Sequence, residues 1–150
     1  YNGSEIAEGA DGRPVYLPRP VGAPRTALKW PITPEIMEDG LSYLFDRYGL
    51  ALYVTECGLS CNDRIYLDGQ VHDLDRIDFL HRYLLSLRKG AEKADIRGFF
   101  HWSLTDNFEW HSGYGERFGL VYIDFSTQKR TLKDSAGWFS RTARENGRNL

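Results

Sequence analysis

No stretch of this 150-residue chain offers the run of about 18 apolar residues that a membrane-spanning helix needs, so none is expected to cross a bilayer. No signal peptide is recognisable. The chain begins at Tyr1 rather than Met, and Tyr1-Asn2-Gly3 reads like the middle of something longer, so the native N-terminus is not visible. Cysteine is scarce: Cys57 and Cys61 stand four apart, with no second cysteine pair and no nearby histidine pair, which argues against a zinc site. A disulfide across so short a loop removes little chain entropy. Two ordinary thiols are the simpler reading, and they favour a cytoplasmic protein. No basic cluster stands out and the formal net charge is −2, which argues against binding driven by neutralising nucleic-acid phosphates. No metal and no cofactor are expected.

Aromatic residues, by contrast, are plentiful at 14%, with four Trp and nine Tyr. Hydrophobic residues at 41% and charged residues at 27% predict a packed core. Residues 1–29 are rich in Gly, Pro and Ala without a sustained period and read as a long loop, a feature that is usually functional where it occurs in a compact fold. Thr33 and Pro34 mark a helix start, with Met37, Leu41, Leu44 and Tyr48 on one face and Gly49 at its end. Leu50–Thr55 is a short apolar run, suited to a strand buried on both faces. After a polar, turn-rich segment, Asp73 or Asp75 can cap a second helix, whose buried face is Ile77, Leu80, Leu84 and Leu87 and whose end is Gly90 or Asp95. Phe99–Leu104 reads as another buried strand. Leu120–Phe125 with Lys129–Thr131 suits a hairpin, and Leu132–Glu145 a last helix. The alternation implies an α/β fold with parallel strands and helical crossovers. Its two clear parallel strands cannot close a barrel and would leave unpaired edges, so the chain reads as a piece of a larger α/β fold.

Both strands end in polar chemistry. Thr55-Glu56-Cys57-Gly58 closes the first. The second runs into Trp102-Ser103-Leu104-Thr105-Asp106-Asn107-Phe108-Glu109-Trp110. Functional groups gather at the carboxyl ends of parallel strands, and neighbouring strands lie about 4.8 Å apart, so Glu56 and Trp102 can line one pocket. An indole face covers the C–H face of a pyranose, one carboxylate accepts from adjacent hydroxyls, and a second can attack the anomeric carbon. Singly, each residue has a plainer role. A strand-end glutamate is commonly solvated or ion-paired, Trp102 could be core, Asp106-Asn107 could form a turn, and His101 and Trp138 read as packing.

Together these motifs are far more specific. Thr55-Glu56-Cys57-Gly58 resembles the Thr-Glu-Asn-Gly nucleophile motif of family 1 glycoside hydrolases, the β-glucosidase and β-galactosidase family. Trp102 through Trp110, with Gly113-Tyr114 and Arg117-Phe118-Gly119-Leu120, resembles that family's sugar-binding signature almost without change. The resemblance covers essentially the whole chain and implies the C-terminal part of a (β/α)8 TIM barrel, about strands 7–8 with helices 6–8, incomplete alone. Residues 1–33 would be the active-site loop after strand 6. It further implies a retaining β-glycosidase of β-glucosidase type with Glu56 as nucleophile. Trp102 would stack on the sugar, Glu109 would bind the C4 and C6 hydroxyls and Trp110 the C3 hydroxyl. Phe118 would lie near C6, and Trp30 would line the aglycone site. Tyr1 would correspond to a tyrosine that hydrogen-bonds the nucleophile, and the Trp102–Ser103 peptide would be cis.

Two departures stand out. Cys57 replaces the family's Asn. No Asn-Glu-Pro tripeptide, which carries the family's acid/base on strand 4, occurs in the chain. The resemblance therefore implies a partner, the complementary N-terminal portion of the same barrel, and a substrate of β-glucoside or related small-saccharide type. The chain alone is expected to be inactive, a split or nicked part of an enzyme. The contrasting class is a non-catalytic carbohydrate-binding or structural fragment.

Overall fold

The computed structural model describes residues 1–150. Its elements are β1 (Ile6–Glu8), β2 (Pro14–Tyr16), α1 (Ile36–Tyr48), β3 (Leu52–Cys57), α2 (Leu74–Ala91), β4 (Ile96–His101), β5 (Val121–Ile123), β6 (Arg130–Leu132) and α3 (Asp134–Arg144). At its centre is a β3–α2–β4 unit in which β3 and β4 pair in parallel. β1–β2 and β5–β6 are separate antiparallel pairs.

The core sits on one face of β3–β4. Met37, Val54, Cys57, Leu59, Phe79, Leu80, Tyr83 and Leu120 are buried together, with Phe99, Trp138 and Phe139 packed around them. α2 supplies its apolar stripe at helical spacing, and Tyr83 stacks on Phe79 with ring centroids 3.9 Å apart. The expectation that both strand faces are buried is not met in this chain. Tyr53 is 55% exposed and Phe100 59%, because no element lies against that face. On α1 the expected buried face narrows for the same reason: Met37 is buried, whereas Leu44 and Tyr48 are exposed.

Other differences have local causes. Residues 1–29 hold the β1–β2 hairpin, which the composition did not signal. α1 starts at Ile36, and Thr33 does not cap it, because the Thr33 hydroxyl accepts from the Gly3 N–H at 2.7 Å. Asp73 precedes α2 without capping it, since its carboxylate is taken by Ser135 and Arg76. β4 begins and ends three residues earlier than the run Phe99–Leu104 suggests. Beyond Trp102 the backbone changes partner: Ser103 N–H donates to Phe118 at 3.2 Å, and Leu120 N–H returns to Ser103 at 3.1 Å. Leu132 belongs to β6, so the last helix starts at Asp134.

Candidate active site

β3 delivers Glu56 through a bulge. Val54 pairs with Phe99 and Cys57 with His101, so the step from Val54 to Cys57 on β3 opposes a shorter one on β4. The extra residue lets Thr55 and Glu56 both face outward while Cys57 returns to the core. Bulges of this kind re-aim side chains next to functional sites. Cys57 is fully buried, and that burial pushes its thiol up to about 12. At the position where the resemblance has Asn, this chain thus has a packed, protonated core residue. Cys61 is likewise pushed up to about 12 by burial, and neither cysteine is in a disulfide.

The two strand ends touch through backbone. Trp102 N–H donates to the Cys57 carbonyl at 3.0 Å, and the Trp102–Ser103 peptide is cis, as the resemblance implies. A Cβ on Gly58 would collide with the Trp102 carbonyl, so only glycine allows this approach. His101 packs beneath, its Nε2 3.2 Å from the Phe118 carbonyl, its Nδ1 buried without a partner. Burial and then the Arg76 charge push its pKa down to about 4, so it is neutral packing material rather than a titrating site residue.

The N-terminal loop brings Tyr1 and Trp30 to the same end. Their ring centroids are 6.0 Å apart, and Trp30 is 6.0 Å from Phe118. The Tyr1 phenol is held well above its ordinary pKa, first by burial and then by the negative charge of Glu56, by Cys57 and by Glu109. Tyr1 therefore has both Glu56 and Glu109 as electrostatic neighbours. Its backbone is pinned by Tyr83, whose hydroxyl donates to the Tyr1 carbonyl at 3.2 Å and accepts from Thr33 N–H at 2.8 Å. Ser60, four residues past Glu56, anchors the same loop: its carbonyl accepts from Ala27 N–H and its hydroxyl from Leu28 N–H.

Glu109 and Trp110 sit on the loop after β4. Glu109 Oε2 is buried with no hydrogen-bond partner, so a donor is missing at this oxygen. Trp110 starts a single 3-10 turn with φ 44° and is 76% exposed, a position free to stack on an incoming surface. Trp102 is half-buried at the strand end. Phe118, at 2% exposure, differs from the rest: in this chain it is packed behind Trp30 rather than open to the cleft.

Sequence reasoning missed the scaffold beneath these groups. Asp106, read as a turn residue, is 3% exposed and accepts from Lys133 Nζ at 2.8 Å, Arg117 Nη1 at 2.6 Å and Gly119 N–H at 3.0 Å. Lys133 also reaches Asp63 at 2.5 Å, and Asp63 accepts from Arg76 at 2.7 Å. Their dispersion from residue 63 to residue 133 hides the cluster; the sequence showed Asp106 within the motif but not which residues partner it. A cavity of about 450 Å³ lies at the opposite end of β4, between α2 and α3, and contains none of the candidate site residues.

Comparison with known proteins bears on the family and the fold. The sequence profile of Glycosyl hydrolase family 1 matches residues 6–148. A bifunctional beta-D-glucosidase/beta-D-fucosidase of Bifidobacterium breve is 45% identical over 128 residues, 81% of this chain and 28% of that protein. A 6-phospho-beta-galactosidase of Clostridium acetobutylicum is 39% identical, over 81% of this chain and 26% of its own length. The solved beta-glucosidase from Thermotoga maritima in complex with glucoimidazole superposes with a TM-score of 0.87 at 39% identity, covering 98% of this chain and 33% of that one. The chain thus spans about a third or less of the length of the relatives it matches.

Proposed function

The chain belongs to glycosyl hydrolase family 1 and has the fold of the C-terminal part of a (β/α)8 barrel; from that premise we propose that it supplies the nucleophile and one sugar-binding wall of a retaining β-glycosidase, of β-glucosidase type. No helix is long and apolar enough to cross a membrane. The supporting observation is the meeting of the carboxyl ends of β3 and β4 through Trp102 N–H and the Cys57 carbonyl, with Tyr1, Trp30 and Phe118 grouped by ring contacts and Glu109 Oε2 buried and lacking a donor. A sugar hydroxyl supplies a donor of that kind.

In this reading residues 1–33 are an active-site loop, with Tyr1 oriented toward the nucleophile and Trp30 lining the aglycone side. Trp102 stacks on the glycone, Trp110 binds its C3 hydroxyl and Glu109 its C4 and C6 hydroxyls. Phe118 supports the C6 side from behind. Glu56 attacks the anomeric carbon as the bond to the aglycone oxygen breaks, leaving a glycosyl ester. The departing oxygen takes a proton from an acid that this chain does not carry. Water then attacks the same carbon, its proton passes to the conjugate base, and the Glu56 carboxylate is released. The acid belongs to the complementary N-terminal portion of the barrel, which docks on the exposed Tyr53 and Phe100 face. A carboxylate at Glu109 repels a substrate phosphate, so unphosphorylated β-glucosides are favoured over 6-phosphoglycosides.

The test is hydrolysis of an aryl β-glucoside by the chain with and without the N-terminal portion. The chain alone should release no more aglycone than buffer, and the pair should turn over. In the pair, Glu56→Gln should cost at least about 10³-fold in kcat, the scale of losing a nucleophile. Turnover by the isolated chain at an enzymatic rate, or an active Glu56→Gln pair, overturns the assignment.

A further inference from the structure

Glu109 and Trp110 sit on residues 107–116, a loop whose two ends are joined by charge. At its start stands Asp106, at its end Arg117. Arg117 Nη1 meets Asp106 Oδ2 at 2.6 Å and also donates to the Ile123 carbonyl at 3.0 Å. The guanidinium lies over the rings of Tyr122, at 4.0 Å, and Phe125, at 5.0 Å, and Phe125 touches Tyr114 within the loop at 4.5 Å. Planar stacking and a directed ion pair together hold Arg117 in one orientation.

This clasp does not stand alone. Asp106 Oδ1 accepts from Lys133 Nζ, which sits at the start of α3 and is 2% exposed. Lys133 reaches Asp63 on the loop after β3, and Arg76 on α2 joins Asp63 to the Arg117 carbonyl at 2.9 Å. Cys61 N–H donates to that same carbonyl at 3.0 Å. Charges of opposite sign alternate along a buried path from the segment just past Glu56 to the base of the sugar loop. In a low-dielectric interior such a path holds only near one geometry, because each displaced member leaves a charge unpaired.

We propose that Asp106 and Arg117 are positioning residues that clasp the loop carrying Glu109 and Trp110, and that Lys133 and Asp63 tie this clasp to the nucleophile's own segment. Neither Asp106 nor Arg117 needs to touch substrate. Their effect on catalysis rests on the glycosidase reading above, but the clasp itself does not, and the two are tested separately.

The experiment compares Asp106→Asn, and the milder Arg117→Lys, with the unaltered chain, each paired with its N-terminal portion. Amide hydrogen exchange is read first. Asp106→Asn should speed exchange of the amides of residues 107–119 about tenfold or more, with those of β3 and β4 unchanged. Arg117→Lys, which keeps the charge but loses the fork and the stacking, should give a smaller change in the same residues and covers the case in which Asp106→Asn does not fold. Uniform loss of protection across the chain, or no change in residues 107–119, overturns the clasp. Kinetics are read second, on aryl β-glucoside and on aryl β-xyloside, which lacks the C6 hydroxymethyl group that Glu109 is assigned to bind. A displaced Glu109 should lower the glucoside-to-xyloside ratio of kcat/KM about tenfold. A merely destabilised protein loses both substrates equally, and an unchanged ratio overturns the positioning role. If exchange changes locally but the unaltered pair hydrolyses neither sugar, the glycosidase reading fails and the clasp stands.

Discussion

Two long loops meet over the carboxyl ends of β3 and β4, and they are ordered by different means. The loop after β4 closes on buried charge: Asp106, Lys133 and Arg117 satisfy one another and several backbone groups. The loop from Tyr1 to Lys29 has no such centre. It is held at its ends by hydrogen bonds to Tyr83, Thr33 and Ser60, with the Arg19 guanidinium donating to the Gly3 carbonyl as a charged tie, while its β1–β2 hairpin is largely exposed. Length therefore says little about order. What matters is whether the loop has buried polar groups that must find partners, because leaving one unpaired costs more than pairing it gains.

The largest expected effect attacks the first loop. Lys133→Met leaves Asp63 and Asp106 each short of a cation, although Arg76 and Arg117 remain beside them. A loss of about 3 kcal/mol in urea unfolding is expected, the low end for a broken buried pair. A cost below about 1 kcal/mol would remove the contrast between the loops. Acid should act next, at the end of β4 beneath the same loop. His101, under the Phe118 carbonyl, has a folded pKa near 4, depressed from 6.5. The folded state then binds fewer protons than the unfolded one, so stability is full above about pH 6.5 and declines as pH falls toward 4, by roughly 3 kcal/mol at most. His101→Leu should flatten that acid limb. His72, between Asp134 at 2.6 Å and Asp68 at 2.9 Å, works in the opposite sense: its pKa is raised, so its contribution is present at low pH and lost as pH rises through the folded value.

The N-terminal loop should respond less. Tyr83→Phe removes one hydroxyl from between the Tyr1 carbonyl and the Thr33 N–H and should cost about 1–2 kcal/mol, with faster amide exchange confined to residues near Tyr1 and Thr33. Smallest of all, Val15→Thr on the exposed hairpin should change stability by less than about 0.5 kcal/mol. A larger cost would show that the hairpin is held by more than its own backbone bonds.

Much of this was legible in the sequence. The helical stripe Leu80, Leu84 and Leu87, the apolar runs of both strands and the motifs around Glu56 and Trp102 are local patterns, and local patterns survive being written in one dimension. The family and the partial barrel followed from them. The shortfalls are non-local. Asp73 looked like a helix cap and serves Ser135, while Thr33 looked like another and serves Gly3. Asp106 looked like a turn and is a hub for partners far along the chain. Side-chain oxygens advertise that they will accept hydrogen bonds, not from whom. The bulge at Glu56 was equally hidden, because one extra residue on a strand becomes visible only beside its partner's register.

Gly58 fixes the spacing between the segment after Glu56 and the loop after β4 by main-chain contact with Trp102, and Gly119 makes a similarly close approach to Thr105 and Asp106. The nearest atoms at both junctions belong to the main chain, with the His101 ring also close at Gly58. The separation of the two walls is therefore set first by main-chain contact, which any side chain at either glycine would disrupt. An engineer could vary the aromatic face of the loop and keep this gauge, provided both glycines stay.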